Sequence, residues 1–247
     1  SLDILDKNKI KKIANNYSYI FQLAAIVGVS NVLEQPYEVL SRNIEIQMNS
    51  LKIASKQKKI KKYFFFSTSE VYAGSINNSN FKFPTSENVE LTLTDLNNPR
   101  TTYLLSKIYG EAMTIHSSLP FIILRPHNIY GPRMGFSHVI PELIFKFKKL
   151  KYNSFYELDS FNHSRSFCYI DDAVYQIYKL ISCKNKNFTV NIGNNQEEIK
   201  IIQLAKILKK IINRKDIKII NKKNDIHSSP KRRDPNINKI LQFSKNK

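Results

Sequence analysis

The chain has 247 residues, 42% hydrophobic and 24% charged, with a formal net charge of +19 from 39 Lys and Arg against 20 Asp and Glu. That length can bury the core of one large or two small domains. Its two cysteines, Cys168 and Cys183, offer neither a metal-ligand spacing nor a disulfide framework, and no apolar run approaches the roughly 18 residues of a membrane span. The expectation is a cytoplasmic protein that holds no metal. The basic runs 56–62, 146–151 and 206–218 lie on helix-like segments without interleaved aromatics. They read as solvated faces, and no nucleic-acid partner is expected.

In chain order, residues 19–24 form a short apolar run ending in small residues, the pattern of a buried parallel strand. Pro36 opens an amphipathic stretch to about residue 54, a helix with proline in its first turn. Residues 63–66 are a second strand, ending in Ser67, Thr68, Ser69 and Glu70. A polar loop spans 73–100, longer than an ordinary connection. A helix is predicted over 102–116 and a strand over 121–124, which leads into Arg125, Pro126, His127 and Asn128. From about Gly131 the character shifts. A basic helix (141–149) and a strand (155–158) precede a strand from Arg165 that runs into a helix, with Asp171 or Asp172 as its N-cap. A further strand ends at Asn191-Ile192-Gly193, and residues 198–212 are amphipathic.

This alternation implies an α/β fold, a parallel sheet with helices on both faces. Ligands of such sheets bind beyond the carboxyl ends of the strands. Here those ends are Ala24-Ala25, Ser67 to Ser69 and Arg125 to Asn128, so the candidate residues converge on one edge. On the helix that follows, Tyr103 and Lys107 stand four residues apart and share a face. A neighbouring ammonium favours the phenolate and lowers a tyrosine pKa, which yields a general base near neutral pH. Thr68 can hydrogen-bond the same substrate oxygen. The guanidinium of Arg165 suits bidentate contact with a diphosphate.

Taken in order, Ser67 to Tyr72, Tyr103 to Lys107, Arg125 to Pro132, Arg165 to Asp172, Asn191-Ile192-Gly193 and Arg232-Arg233-Asp234-Pro235 resemble the extended short-chain dehydrogenase/reductase family of nucleotide-sugar epimerases, dehydratases and decarboxylases. The resemblance implies a Rossmann-like, doubly wound parallel sheet in residues 1–130 and a smaller α/β substrate lobe in 131–247, partly interleaved with it. It implies NAD as cofactor, with Asp3, Ile4, Leu23, Ala24, Ala25, Asn43, Ser67, Tyr103, Lys107 and Pro126 as its contacts. Thr68, Glu70, Tyr103 and Lys107 would be catalytic, and Ser69, Asn128, Arg165 and Arg233 would face a nucleotide sugar, a UDP-sugar first. A homodimer through the helices at 36–54 and 103–116 is implied as well. The family's glycine-rich turn for the pyrophosphate does not occur anywhere in the sequence. The expectation is a fragment lacking the first βαβαβ stretch, roughly 60 residues.

Within the family, Thr68-Ser69-Glu70 resembles the pattern of UDP-glucuronate decarboxylases, and Arg232 to Pro235 echoes their Arg-Lys-Pro segment. Serine at 69 cannot protonate a leaving hydroxyl as a carboxylic acid would, which lowers the 4,6-dehydratase reading. A 4-epimerase stays open, as does a catalytically silent relic or binding protein. The departures are Gln22 in place of His, Asp234 in place of Lys, and Ala73-Gly74 after Tyr72.

Overall fold

A computed structural model describes residues 2–77, 80–222 and 230–244. The elements in chain order are α1 (Lys7–Ile10), β1 (Tyr19–Gln22), α2 (Val29–Glu34), α3 (Pro36–Ser55), β2 (Lys62–Phe66), α4 (Arg100–Ile115), β3 (Phe121–Pro126), β4 (Ile129–Tyr130), α5 (Val139–Lys149), β5 (Phe155–Leu158), β6 (Ser164–Ser166), β7 (Cys168–Tyr169), α6 (Ile170–Ser182), β8 (Phe188–Ile192), β9 (Glu198–Lys200), α7 (Ile201–Ile211), β10 (Lys218–Asn221), β11 (Arg232–Arg233) and α8 (Asn238–Ser244). Among the described residues, no helix is long and apolar enough to cross a membrane.

The main sheet has the order β1-β2-β3-β8, every pair parallel. Alternation along the strands sends successive side chains to opposite faces. On one face Tyr63, Phe65, Phe121 and Ile123 pack on Leu51 and Ala54 of α3, with Met113 of α4 beside them. On the other, Phe64, Ile122, Leu124, Val190 and Ile192 pack on Ala173 and Leu180 of α6 and Ile240 of α8. A second core joins Leu143 and Phe147 of α5, Leu158 of β5 and the inner face of α7. The chain therefore leaves the main sheet after β3, builds much of the second core, and returns with α6 and β8.

Helix α4 lies close on the sheet because Gly110 has no side chain: a Cβ there would come within 2.5 Å of the Phe65 ring. Beneath it is a buried ion pair. Arg125 donates from Nε to Glu111 Oε1 (2.9 Å) and from Nη2 to Oε2 (2.6 Å), with side chains 6% and 5% exposed. The Ser67 hydroxyl donates to the same carboxylate at 2.5 Å. Arg125 also donates to the Tyr72 hydroxyl (2.8 Å) and to Glu87 O (3.1 Å). Tyr72 in turn donates to Asn191 Oδ1 (2.8 Å), and Asn191 Nδ2 donates to Thr85 O and Asn236 O. The long loop after β2 is thus stitched to the sheet, and Thr85 bridges Pro235 beyond β11.

One local expectation needs correction. The N-cap of α6 is Tyr169 and makes no side-chain cap bond. Strand β7 runs straight into the helix, so Asp171 and Asp172 fall inside the first turn, where their carboxylates meet the positive end of the helix dipole. Residues 198–200 pair with β6 as strand β9, and only then does the amphipathic helix begin. Residues 2–6 form no strand ahead of α1; Asp6 caps that helix by accepting from Asn8 N and Lys9 N.

Replacing Arg125 by Met leaves the Glu111 carboxylate buried without its partner. The expected loss is about 3–5 kcal/mol of stability in urea unfolding. A loss below about 1 kcal/mol, the value of an exposed pair, would show that this network does not hold the sheet and loop together.

Candidate active site

Over the carboxyl ends of β2 and β3 opens a cleft of about 710 Å³. Its floor is formed by Thr68, Ser69, Glu70, Tyr103, Pro126 and Asn128. The Val27–Val29 segment and Met134 to His138 flank it, and Leu143, Leu158 and Phe167 of the second core form the far wall. Arg100, Arg165 and Arg233 also line it.

Each group is placed by its element. Thr68 caps the 3-10 turn Ser69–Tyr72, its hydroxyl accepting from Glu70 N at 3.3 Å, and the turn projects Glu70 into the cleft. Glu70 Oε1 accepts from Arg100 Nη2 (3.0 Å) and from Arg233 Nη2 (2.5 Å). Arg233 reaches it because β11 pairs with β6, in register with Arg165. Arg165 donates to Ser164 O, Lys231 O and Pro230 O, so its guanidinium braces the cleft wall. The Asn128 side chain donates to Ser166 O at 3.0 Å and holds β6 against the end of β3.

The electrostatics of Tyr103 differ from expectation. Its pKa is pushed up to about 12, first by burial and then by the charge of Glu70, while Thr68 and Arg233 pull the other way. Lys107 does share the helix face, but its Nζ sits 5.9 Å from the Tyr103 ring centre and donates to Phe66 O at 2.8 Å. Its charge is spent on a strand-end carbonyl rather than on the phenol. Burial lowers the pKa of Lys107 itself to about 8, against the pull of Glu111. Burial also pushes the Glu70 carboxyl up, but Arg233 and Arg100, with Arg165 beyond them, outweigh it and hold it below its ordinary value.

The remaining sequence-derived candidates stand outside the cleft lining. Asn43 accepts from Ile26 N (2.7 Å) and donates to Ile26 O (3.1 Å), clamping the loop after β1. Gln22 folds back onto the backbone of Ala24, ahead of Ala25. Leu23 is 59% exposed. Ser67 is engaged by Glu111. Asp3 accepts from Leu5 N, and Ile4 O accepts from Asn49 on α3. Arg100 was missed in the sequence reading, although a signal existed: it precedes Tyr103 by three residues and so shares its helix face. Val27, Phe136 and Phe167 carry no pattern that marks them, because tertiary packing alone brings them to the cleft.

The NAD dependent epimerase/dehydratase family matches residues 1–193. The UDP-N-acetyl-alpha-D-glucosaminuronate decarboxylase of Bacillus cytotoxicus is 31% identical over 203 residues, which cover 80% of this chain and 60% of that protein. The chain thus spans about 60% of the length of that relative. Among solved structures, RMD from Pseudomonas aeruginosa complexed with NADPH superposes with a TM-score of 0.81 at 19% identity, covering 98% of this chain and 80% of that one. UDP-glucose 4-epimerase from Thermotoga maritima with UDP-glucose gives 0.78 at 23% identity, covering 98% and 76%. At these identities the structures establish the fold: a Rossmann-like parallel sheet with flanking helices.

The shift of Lys107 has a measurable consequence. Between pH 8 and its ordinary value of 10.5 the unfolded chain binds a proton on this lysine that the folded chain does not. Stability relative to a Lys107→Met variant should therefore rise with pH across that window, by up to roughly 1.4 kcal/mol per pH unit. Urea unfolding of both proteins at pH 7.5 and pH 10 checks this, and a pH-independent difference would rule out the buried, weakened lysine.

Proposed function

The chain belongs to the NAD dependent epimerase/dehydratase family, and on that footing we propose that the whole protein converts a nucleotide sugar through a 4-keto intermediate. Decarboxylation of a UDP-linked uronate is the reaction its cleft suits best. The observation that carries this reading is the meeting of Thr68, Glu70, Tyr103 and Arg233 in one cleft, with Arg233 paired to Glu70.

Tyr103 is the group for the proton of the sugar 4-hydroxyl, as base when ionised and as acid when protonated. Thr68 stands near enough to the phenol to draw its pKa down and can hold the same sugar oxygen. Acceptance of hydride is the chemistry that NAD supplies when bound. With a ketone at C4, a carboxylate at C6 becomes a β-keto acid, which loses CO2 readily. Arg233 offers that carboxylate a cationic partner at the turn bearing Glu70. Because Arg233 and Arg100 keep Glu70 ionised, it is suited to accept a proton and poorly suited to give one to a leaving hydroxyl. That weighs against 4,6-dehydration, as does Ser69 beside it. The relative from Bacillus cytotoxicus, a decarboxylase of a UDP-linked uronate, supports the same choice. A 4-epimerase shares the first step and is the second reading.

The residues present fit the reactive end of NAD. A hydroxyl and a phenol stand in a cleft that continues along the apolar Val27–Val29 segment and Pro126. For the pyrophosphate the sequence offers no glycine-rich turn, so that end of the cofactor has no cradle among these residues. A homodimer belongs to the same proposal: α3 and α4 pack side by side and leave Tyr37, Met48, Tyr109 and Ile115 exposed.

Purified protein supplied with NAD and UDP-glucuronate should release CO2 and form a UDP-pentose. Tyr103→Phe should lower turnover by roughly 10²–10⁴-fold while NAD affinity is unchanged. Epimerised uronate without CO2 would move the reading to a 4-epimerase. Absence of turnover together with absence of NAD binding would leave a binding protein.

A further inference from the structure

Glu70 is held in an unusual way. Both guanidinia reach the same oxygen, Oε1, one from the first residue of α4 and one from β11. Among the described residues no hydrogen bond is made to Oε2. The three side chains are largely buried, at 20% exposure for Arg100, 19% for Glu70 and 14% for Arg233. Arg233 alone would leave the carboxylate able to swing about one contact. A second guanidinium from an independent element removes that freedom. Arg100 is itself fixed, because its backbone N–H donates to Asn98 Oδ1 at 3.0 Å and starts the helix that carries Tyr103 one turn later. The charged and titratable groups facing Glu70 are Arg100 and Tyr103 from α4, Arg233 from β11 and Arg165 from β6.

We propose that Arg100 is a positioning residue for Glu70: with Arg233 it pins one carboxylate oxygen from two sides and leaves the other free for substrate. Arg100 also couples the two halves of the site, since one helix end sets both the Glu70 orientation and the Tyr103 phenol. Loss of Arg100 releases Glu70 from one of its two anchors and weakens its ionisation. The catalytic consequence rests on the role given to Glu70 under Proposed function. The geometry and its test do not.

The test is a side-chain carboxyl titration by carbon NMR on protein labelled at glutamate, with Glu70 assigned by its loss in Glu70→Gln. In the wild type its midpoint should lie below the ordinary glutamate value. In Arg100→Gln it should rise by about one pH unit, the smaller end of what an adjacent arginine does to a carboxylate. Arg100→Lys should bring it most of the way back. An unchanged midpoint in Arg100→Gln overturns the proposal, and a mere helix brace would give that result even where stability falls. Should Arg100→Gln not fold, the pairing is read from its other side. Rotation of the Arg100 guanidinium should be slow in the wild type and fast in Glu70→Gln, and equal rates in the two overturn the proposal. Neither readout needs NAD or substrate, so failure here is distinct from failure of the decarboxylase reading, which the CO2 assay decides.

Discussion

The buried pair of Arg125 and Glu111 is the constraint on which the rest of the structure hangs. Two ions taken out of water cost several kcal/mol each unless geometry and further hydrogen bonds offset the loss. Here the geometry is bidentate, and Ser67 and Tyr72 satisfy the remaining groups. The pair joins helix to sheet directly beneath the cleft. Glu111 lies one turn beyond Lys107, Arg125 precedes Pro126 of the cleft floor, and Ser67 precedes Thr68. Whatever fixes these atoms fixes the cleft floor with them.

Around the cleft, burial and pairing compete and divide the groups into two kinds. Tyr103 and Lys107 are buried with little opposite charge close enough to help, so desolvation wins. The phenol keeps its proton to high pH, and the lysine gives its proton up early. Glu70 is also withdrawn from water, but two arginines lie within hydrogen-bonding distance and pairing wins. The protein therefore presents a strong reserve of phenol, a permanent carboxylate and surplus positive charge in one place. A cation brought near Tyr103 would favour the phenolate, as Arg233 already does.

Much of this was legible in the sequence because it is local. The apolar runs at 63–66 and 121–124 became β2 and β3, and the four-residue spacing did place Tyr103 and Lys107 on one face of α4. The partner of Lys107 was not legible, since the Phe66 carbonyl comes within reach only through packing of helix on sheet. The same holds for Asp171 and Asp172: their residue types suit a cap, but the end of β7 decides where the helix begins. The polar loop after β2 gave no sign that Thr85 and Glu87 would bond to Asn191 and to the segment beyond β11. Those bonds are exchanged between parts of the chain whose spacing carries no pattern.

The ion pair between Glu70 and Arg233 spans 163 positions of the chain. Closing so long a separation is entropically costly and slow compared with forming α4 or the β2–β3 pair. During synthesis the strand end bearing Glu70 emerges on the order of ten seconds before Arg233 does, at ordinary elongation rates. In that interval the carboxylate has neither its strand-borne arginine nor the lobe that encloses it. A nascent chain can thus hold a folded sheet and a docked Tyr103 helix while lacking a finished cleft. Assembly of the cleft therefore waits on a segment made long after Glu70, however early the sheet beneath it has formed.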